Sequence, residues 1–301
     1  MSLSALIAAL LLEQLNALAE RKYLPVWLSG YVGYFQHHFN SGAYHHGRTA
    51  WWLATLPLVV AAILLFWGLH RLHPMLSWAF DVLVLYLCMG FGRYSRIYTD
   101  IQLALRGTDI ARARSLLSQL RGDDSDEFGS EEIARLAVES ALMVALHRLF
   151  AVIVWFVVTS FLGLGGAAGV LFYCMSLAMQ EKPDESTLSY AQKMRRRLNW
   201  LPIRLTAATF AIVGNFEDTA YCWRSQASHW PDPEKGILLA SAAGASGIRL
   251  GARILNSDRP ELGVGNKGGA EALFCIDRLL KRSSVFILVT LFMLTLAGLL
   301  H

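Results

Sequence analysis

RRRLNWLPIRLTAATFAIVGNFED, residues 195–218, has the outline of a membrane span with a charge inside it. Arg195, Arg196 and Arg197 stand at its mouth. An apolar run opens at Leu201, and Arg204 breaks that run just after Pro202. A guanidinium there reads in two ways. Near a membrane interface, its apolar stem stays in hydrocarbon while its head reaches the headgroups. Deeper in a bundle, a charged side chain faces a polar interior and marks function. Arginine then suits phosphate or carboxylate, because its planar fork binds two oxygens at once. Pro202 and Gly214 also allow the segment to re-enter the membrane rather than cross it, provided protein or water satisfies the freed backbone groups.

The composition supports a bilayer. The chain has 301 residues, 54% hydrophobic and 17% charged, with a mean hydropathy of +0.39. An ordinary soluble domain carries about 25% charged residues. The net charge of +4 is modest, and no basic stripe interleaved with aromatics points to nucleic acid. Cys88, Cys174, Cys222 and Cys275 are far apart and form no CxxC pair, which argues against zinc or a redox dithiol. The opening MSLSALIAALLLEQLNALAERK lacks a basic leader region and carries Glu13 in its apolar run, so it reads as a retained helix rather than a signal peptide.

A spanning helix needs about 20 mostly apolar residues. Residues 51–69 fit, with tryptophans near both ends as interface anchors. Residues 75–92 fit with one blemish, Asp81. Residues 149–180 are long enough for a hairpin of two helices split at GLGG, and 284–300 form a clean last span. Residues 2–18 and 201–216 are the imperfect candidates. The expected fold is all-α: a polytopic helical membrane protein with about 5–6 membrane segments, a single membrane domain over 1–301, and cytoplasmic helical loops near 93–140 and 217–283. Arginine and lysine crowd the segments 93–135 and 181–199, which places both on the cytoplasmic side of a bacterial inner membrane. Between residues 99 and 122 the three-and-four spacing of apolar residues predicts an amphipathic helical hairpin. Ser130 is the expected N-cap of the next helix, with Glu131 and Glu132 in its first turn.

Four local patterns invite a site. His37, His38, His45 and His46 lie in one loop, but their spacing fixes no ligand set on a helix face, and no metal is assigned. Glu139 and His147 fall near one face of a helix entering the membrane, either as a proton pair or as an interfacial acid above a satisfied histidine. GASGIRLG places Gly244, Gly247 and Gly251 around Arg249. It is neither a Walker A motif nor a dinucleotide fingerprint. Tight packing of small-residue helices leads over close approach to a ligand. Arg204 is the fourth.

Three stretches together resemble the CobD/CbiB superfamily of bacterial membrane proteins. RRLNWLPIRLTA at 196–207 is similar to the family's LLNWIPARLTA. PDPEKGILLASAAGASGIRLG at 231–251 is similar to its proline-rich loop followed by AAMAGALGVRLGG, and residues 112–140 resemble its ARRAL…GRD…EVARAAVET hairpin. The resemblance runs over roughly 93–300. For the synthase branch it implies adenosylcobinamide-phosphate formation: adenosylcobyric acid joined to aminopropanol phosphate with ATP and magnesium. Arg204 and Arg249 would then hold an anion, with Asn199, Gly247, Gly251 and Glu139 as companions. The chain departs from that pattern. Where the synthase carries Glu-Asn and then Asp, this sequence has Met143, Val144 and His147. Asp81, Asp218 and Glu139 are the carboxylates left near membrane boundaries.

LNWLPIRLTAATFAIVGNF also resembles the AmpE-like branch, whose members are associated with β-lactamase induction and cell-wall sensing, yet this chain keeps AGASGIRLG. The expectation is therefore an AmpE-like member that is non-catalytic or altered, binding an anionic ligand or signalling. The alternative is the amide-forming synthase, with ATP and magnesium as its cofactors. Expected partners are the lipid bilayer, a corrinoid or cell-wall-derived small molecule, and a second copy of the chain in a homo-oligomer.

Overall fold

The computed structural model describes residues 2–15, 30–31, 44–121, 128–181, 185–251, 260–265 and 269–298. His37 and His38 lie outside the described residues, as do residues 122–127 of the acidic stretch and 252–259 beyond the glycine motif. The described residues form helices joined by turns, with an isolated antiparallel bridge between Leu250 and Leu262. The chain is an all-α membrane protein. Three helical stretches are long and apolar enough to cross a membrane: Trp51–Leu72, Ser130–Phe161 and Glu271–Leu296.

Contacts divide the chain into two compact units. The first comprises Met1–Gly90, Arg148–Leu201 and Leu291–His301. Its helices are α1 (Ser2–Leu15), α2 (Tyr44–Leu72) and α3 (Pro74–Cys88). The second comprises Phe91–His147 and Pro202–Thr290. It holds α4 (Phe91–Arg106) and α5 (Ile110–Arg121), which pack as the expected amphipathic hairpin, and α6 (Ser130–Ala145). A π-helical turn, Leu146–Phe150, carries the chain from α6 into α7 (Ala151–Phe161) of the first unit. The N-cap of α6 is Gly129 rather than Ser130. The Glu132 carboxylate accepts the Gly129 N–H at 2.9 Å, so the first turn is capped from inside the helix and the serine hydroxyl is not needed.

The hairpin expected over 149–180 breaks where the glycines predict. α7 ends at Phe161, Gly163 and Gly165 take positive φ, and α8 (Gly166–Glu181) returns. Asp81 explains itself here. It is buried on α3 and accepts the Ala167 N–H at 3.0 Å, with Gly166 as a second donor. A carboxylate at a helix N-terminus satisfies orphan donors and meets the positive end of the dipole. Asp81→Leu is expected to destabilise the protein by about 2–3 kcal/mol, because it leaves a buried N–H unmade. Asp81→Asn keeps an acceptor and should recover about half of that. Thermal unfolding in detergent measures both, and a leucine variant as stable as the parent would remove the cap from the account.

α9 (Glu185–Val213) continues through Pro202. Proline cannot donate to the carbonyl four residues back, which here belongs to Leu198. The Trp155 indole donates to that carbonyl at 3.2 Å instead. In the second unit α10 (Phe216–Ser225) is capped by Asn215. A short 3-10 turn, Ala227–His229, leads to α11 (Pro233–Ser246), which packs tightly on α10. α12 (Ala270–Leu296) closes the chain.

Candidate functional site

A cavity of about 450 Å³ lies within the second unit. That is the size of a small-molecule site. The end of α5 contributes Leu120 and Arg121. α6 contributes Glu139, Ser140, Met143 and Val144. The turn before α11 adds Trp230, Pro231 and Asp232, and α11 itself adds Lys235 and Leu239.

Local rules fix these side chains. Residues 139, 140, 143 and 144 recur at one, three and four along α6, so they form one strip. The opposite strip, with Ala137, Val138, Ala141 and Leu142, is buried. Asp232 is the N-cap of α11, and its Oδ1 accepts the Glu234 N–H at 3.2 Å. Pro233 occupies the first helical position, where its missing N–H does no harm. Lys235 therefore projects from the first turn, beside the positive end of the helix dipole. The walls carry both signs: Arg121 and Lys235 against Glu139 and Asp232. Leu120, Met143, Val144, Trp230 and Leu239 supply an apolar side. Such a lining suits a small anionic or zwitterionic molecule with an apolar portion.

Behind the cavity, α6 is tied to the glycine motif. Arg135, one turn before Glu139, donates through Nη1 to the Gly251 carbonyl at 3.4 Å, and its Nη2 lies 3.7 Å from Glu131. Gly247 ends α11 in the left-handed conformation, φ 63°. Its N–H donates to Gly244 O at 3.3 Å, and the Ile248 N–H donates to Ala243 O at 3.1 Å, the pair of bonds that a Schellman cap requires. Gly251 is buried with φ +81°. A Cβ there would collide with Pro260 O and lie 3.2 Å from the Trp230 ring. Gly251 thus packs directly against Trp230, which lines the cavity.

Of the residues singled out in the sequence, Glu139 lines the cavity. Arg204 and Arg249 do not. Arg204 is half-buried on α9, and Arg249 is exposed, with Glu261 at 4.0 Å. Asn199 is buried in the first unit, where it accepts the Tyr173 hydroxyl at 2.8 Å. Asp218 takes part in the cap of α10, accepting from Asn215 Nδ2 at 2.7 Å. His147 is half-buried, and its partner Glu139 in the proton-pair reading faces the cavity without it. Trp230, Asp232, Lys235 and Arg121 were not singled out, although the PDPEK turn carries a visible helix-start signal.

The donor set can be tested against magnesium. Among the described residues no group of three or more His, Cys, Asp and Glu side chains gathers. A protein-built cage is therefore absent among them. Magnesium brought by a phosphate substrate needs only one or two carboxylates, and Glu139 and Asp232 fit that smaller role.

The comparisons bear on the whole chain. A family profile described as CobD/Cbib protein matches residues 6–268. The cobalamin biosynthesis protein CobD of Stutzerimonas stutzeri is 32% identical, over 96% of each chain. CobD of Chromobacterium violaceum is 33% identical over 73% of this chain and 70% of its own. CbiB of Salmonella arizonae is 26% identical over 62% and 61%. These relatives lend no support to the AmpE-like branch. No solved structure matches.

Proposed function

The chain belongs to the CobD/CbiB family, and we propose that it is a bacterial inner-membrane enzyme of cobalamin biosynthesis that holds a small charged substrate in the cavity beside Glu139. One observation carries this reading. Two of the three stretches that resemble the family, 112–140 and 231–251, supply Arg121, Glu139, Ser140 and the Trp230-flanked α11 wall of the same cavity. Resemblance to the synthase branch makes the reaction the joining of a corrinoid carboxylate to a primary amine that bears a phosphate. Lys235 and Arg121 bind the anion. Leu239, Met143 and Val144 exclude water from the apolar side. ATP and magnesium, held through Glu139 and Asp232, would supply the activation that amide formation needs. The arginine-rich segments near 93–135 and 181–199 face the cytoplasm in this reading.

A second reading rests on Met143 and Val144. Both line the cavity where the synthase pattern places Glu and Asn, and neither binds a hard cation. A member that binds its ligand without turning it over follows from that replacement.

Complementation separates the two. The chain is expressed in a bacterium lacking its adenosylcobinamide-phosphate synthase and fed adenosylcobyric acid. Cobalamin-dependent growth is the expected result. No growth, with folded protein recovered from the membrane, would overturn the enzymatic reading in favour of the binding one. Arg249→Ala should keep growth within about threefold of the parent, since an exposed ion pair contributes little.

A further inference from the structure

The Arg204 segment bears an apolar face that is exposed among the described residues. On α9 beyond Pro202, Ile203, Ala207 and Phe210 are buried, so one side packs on protein. The other side shows Leu205 at 47% and Ile212 at 60% exposure, and on the following helix Phe216 is 65% and Tyr221 57% exposed. Leu205 and Ile212 are two turns apart and share one face. Arg204 stands at the edge of that face, and exposed Arg224 follows at the far end of α10.

Length decides what the face meets. The apolar run 201–213 rises about 20 Å at 1.5 Å per residue, short of the roughly 30 Å of hydrocarbon. α9 is also not among the helices apolar enough to cross. The same unit nevertheless carries most of the crossing stretch Glu271–Leu296, with Val285 and Val289 exposed on it. The unit is thus held at a bilayer. Apolar side chains bounded by Arg204 and Arg224, with Glu217 and Asp218 among them, fit a membrane interface, with apolar side chains below the headgroups and the charged groups at headgroup level.

We propose that the exposed face of Leu205 and Ile212, with Arg204 at its edge, lies flat at the membrane interface, and that residues 201–216 neither span the membrane nor re-enter it. Arg204 is then an interfacial anchor rather than a ligand to a buried substrate.

The test uses the whole protein in vesicles of phosphatidylglycerol and phosphatidylethanolamine. Trypsin cuts after Arg204 and Arg224, so the segment 205–224 is recovered as one peptide. A lipid with a photoreactive diazirine near the glycerol should label this peptide, and one with the diazirine at the acyl terminus should not. Labelling from the acyl terminus would mean deep insertion. Labelling from neither position would mean water or protein on this face. Either result overturns the proposal. Spin labels at Leu205→Cys and Ile212→Cys, with Cys275 replaced by serine and the other three thiols buried, provide a second reading. Their depths should agree within about 3 Å. A spanning helix would separate them by about 10 Å, the rise of seven residues.

Discussion

Lys235→Glu is expected to reduce corrinoid-dependent growth to the level of a strain without the protein, while folded protein is recovered in parental amounts. The two halves of that result have separate causes. Lys235 projects from the first turn of α11 and is exposed, so its replacement empties no core. Glutamate in a first turn also suits the positive end of the helix dipole, and three residues after an N-cap it is a favoured helix-start residue. Stability should therefore hold or rise slightly. Function should not. A charge-assisted contact to the substrate anion is worth about 1.5–3 kcal/mol, and reversing the charge adds repulsion of about 1 kcal/mol. A combined loss of roughly 2.5–4 kcal/mol is on the order of a hundredfold to a thousandfold in kcat/KM. Lys235→Ala omits the repulsion and should fall between the two. Growth at the parental rate for Lys235→Glu would take the anion out of this cavity. The same outcome together with loss for Arg249→Ala would return it to the glycine motif.

Much of the fold is legible in the sequence because a bilayer imposes length and polarity on local stretches. The apolar run at 51–69, the break at GLGG and the amphipathic hairpin over 99–122 are all one-dimensional signals. Pro202 is different. It reads as a point where the segment can turn back because its lost hydrogen bond is local, whereas the compensation comes from Trp155, far away in the chain. Asp81 looks like a functional acid in an apolar run for the same reason. Its partners at Gly166 and Ala167 meet it only after two helices have packed. At the site, Glu139 stands out as an acid on a mostly apolar helix. Lys235 and Arg121 do not, since nothing local separates them from the other cations of the cytoplasmic segments. Arg204 and Arg249 attract attention by their motifs, yet a guanidinium beside glycines or prolines says nothing about which cavity it reaches. The glycines of GASGIRLG were legible as special positions. Their reason, a Schellman cap at Gly247 and a crowded left-handed turn at Gly251, belongs to backbone geometry.

Gly251→Val should strongly destabilise the second unit. Its backbone at φ +81° is a conformation that β-branched residues adopt only under strain, at about 1–3 kcal/mol. Its Cβ position is occupied by Pro260 O, with the Trp230 ring 3.2 Å away. The carbonyl oxygen belongs to backbone two residues before Leu262 of the Leu250–Leu262 bridge, so it cannot rotate aside as a side-chain tip could. Relief must come from moving the turn, and the turn holds Arg135 through the Gly251 carbonyl and backs the cavity through Trp230. The total is about 3 kcal/mol or more, a drop of roughly 5–10 °C in the detergent-solubilised protein. Corrinoid-dependent growth should be lost with it, because the wall moves along with the turn. Gly251→Ala meets the same φ and the same oxygen with less bulk, and should fall short of valine by about 1 kcal/mol. Gly68→Ala supplies the contrast. It lies inside α2 with open space around its Cβ, so alanine should be neutral or stabilise by about 0.5–1 kcal/mol. If Gly251→Val unfolded at the parental temperature, the left-handed turn would not be rigid. Trp230 would then need another support to keep the cavity open.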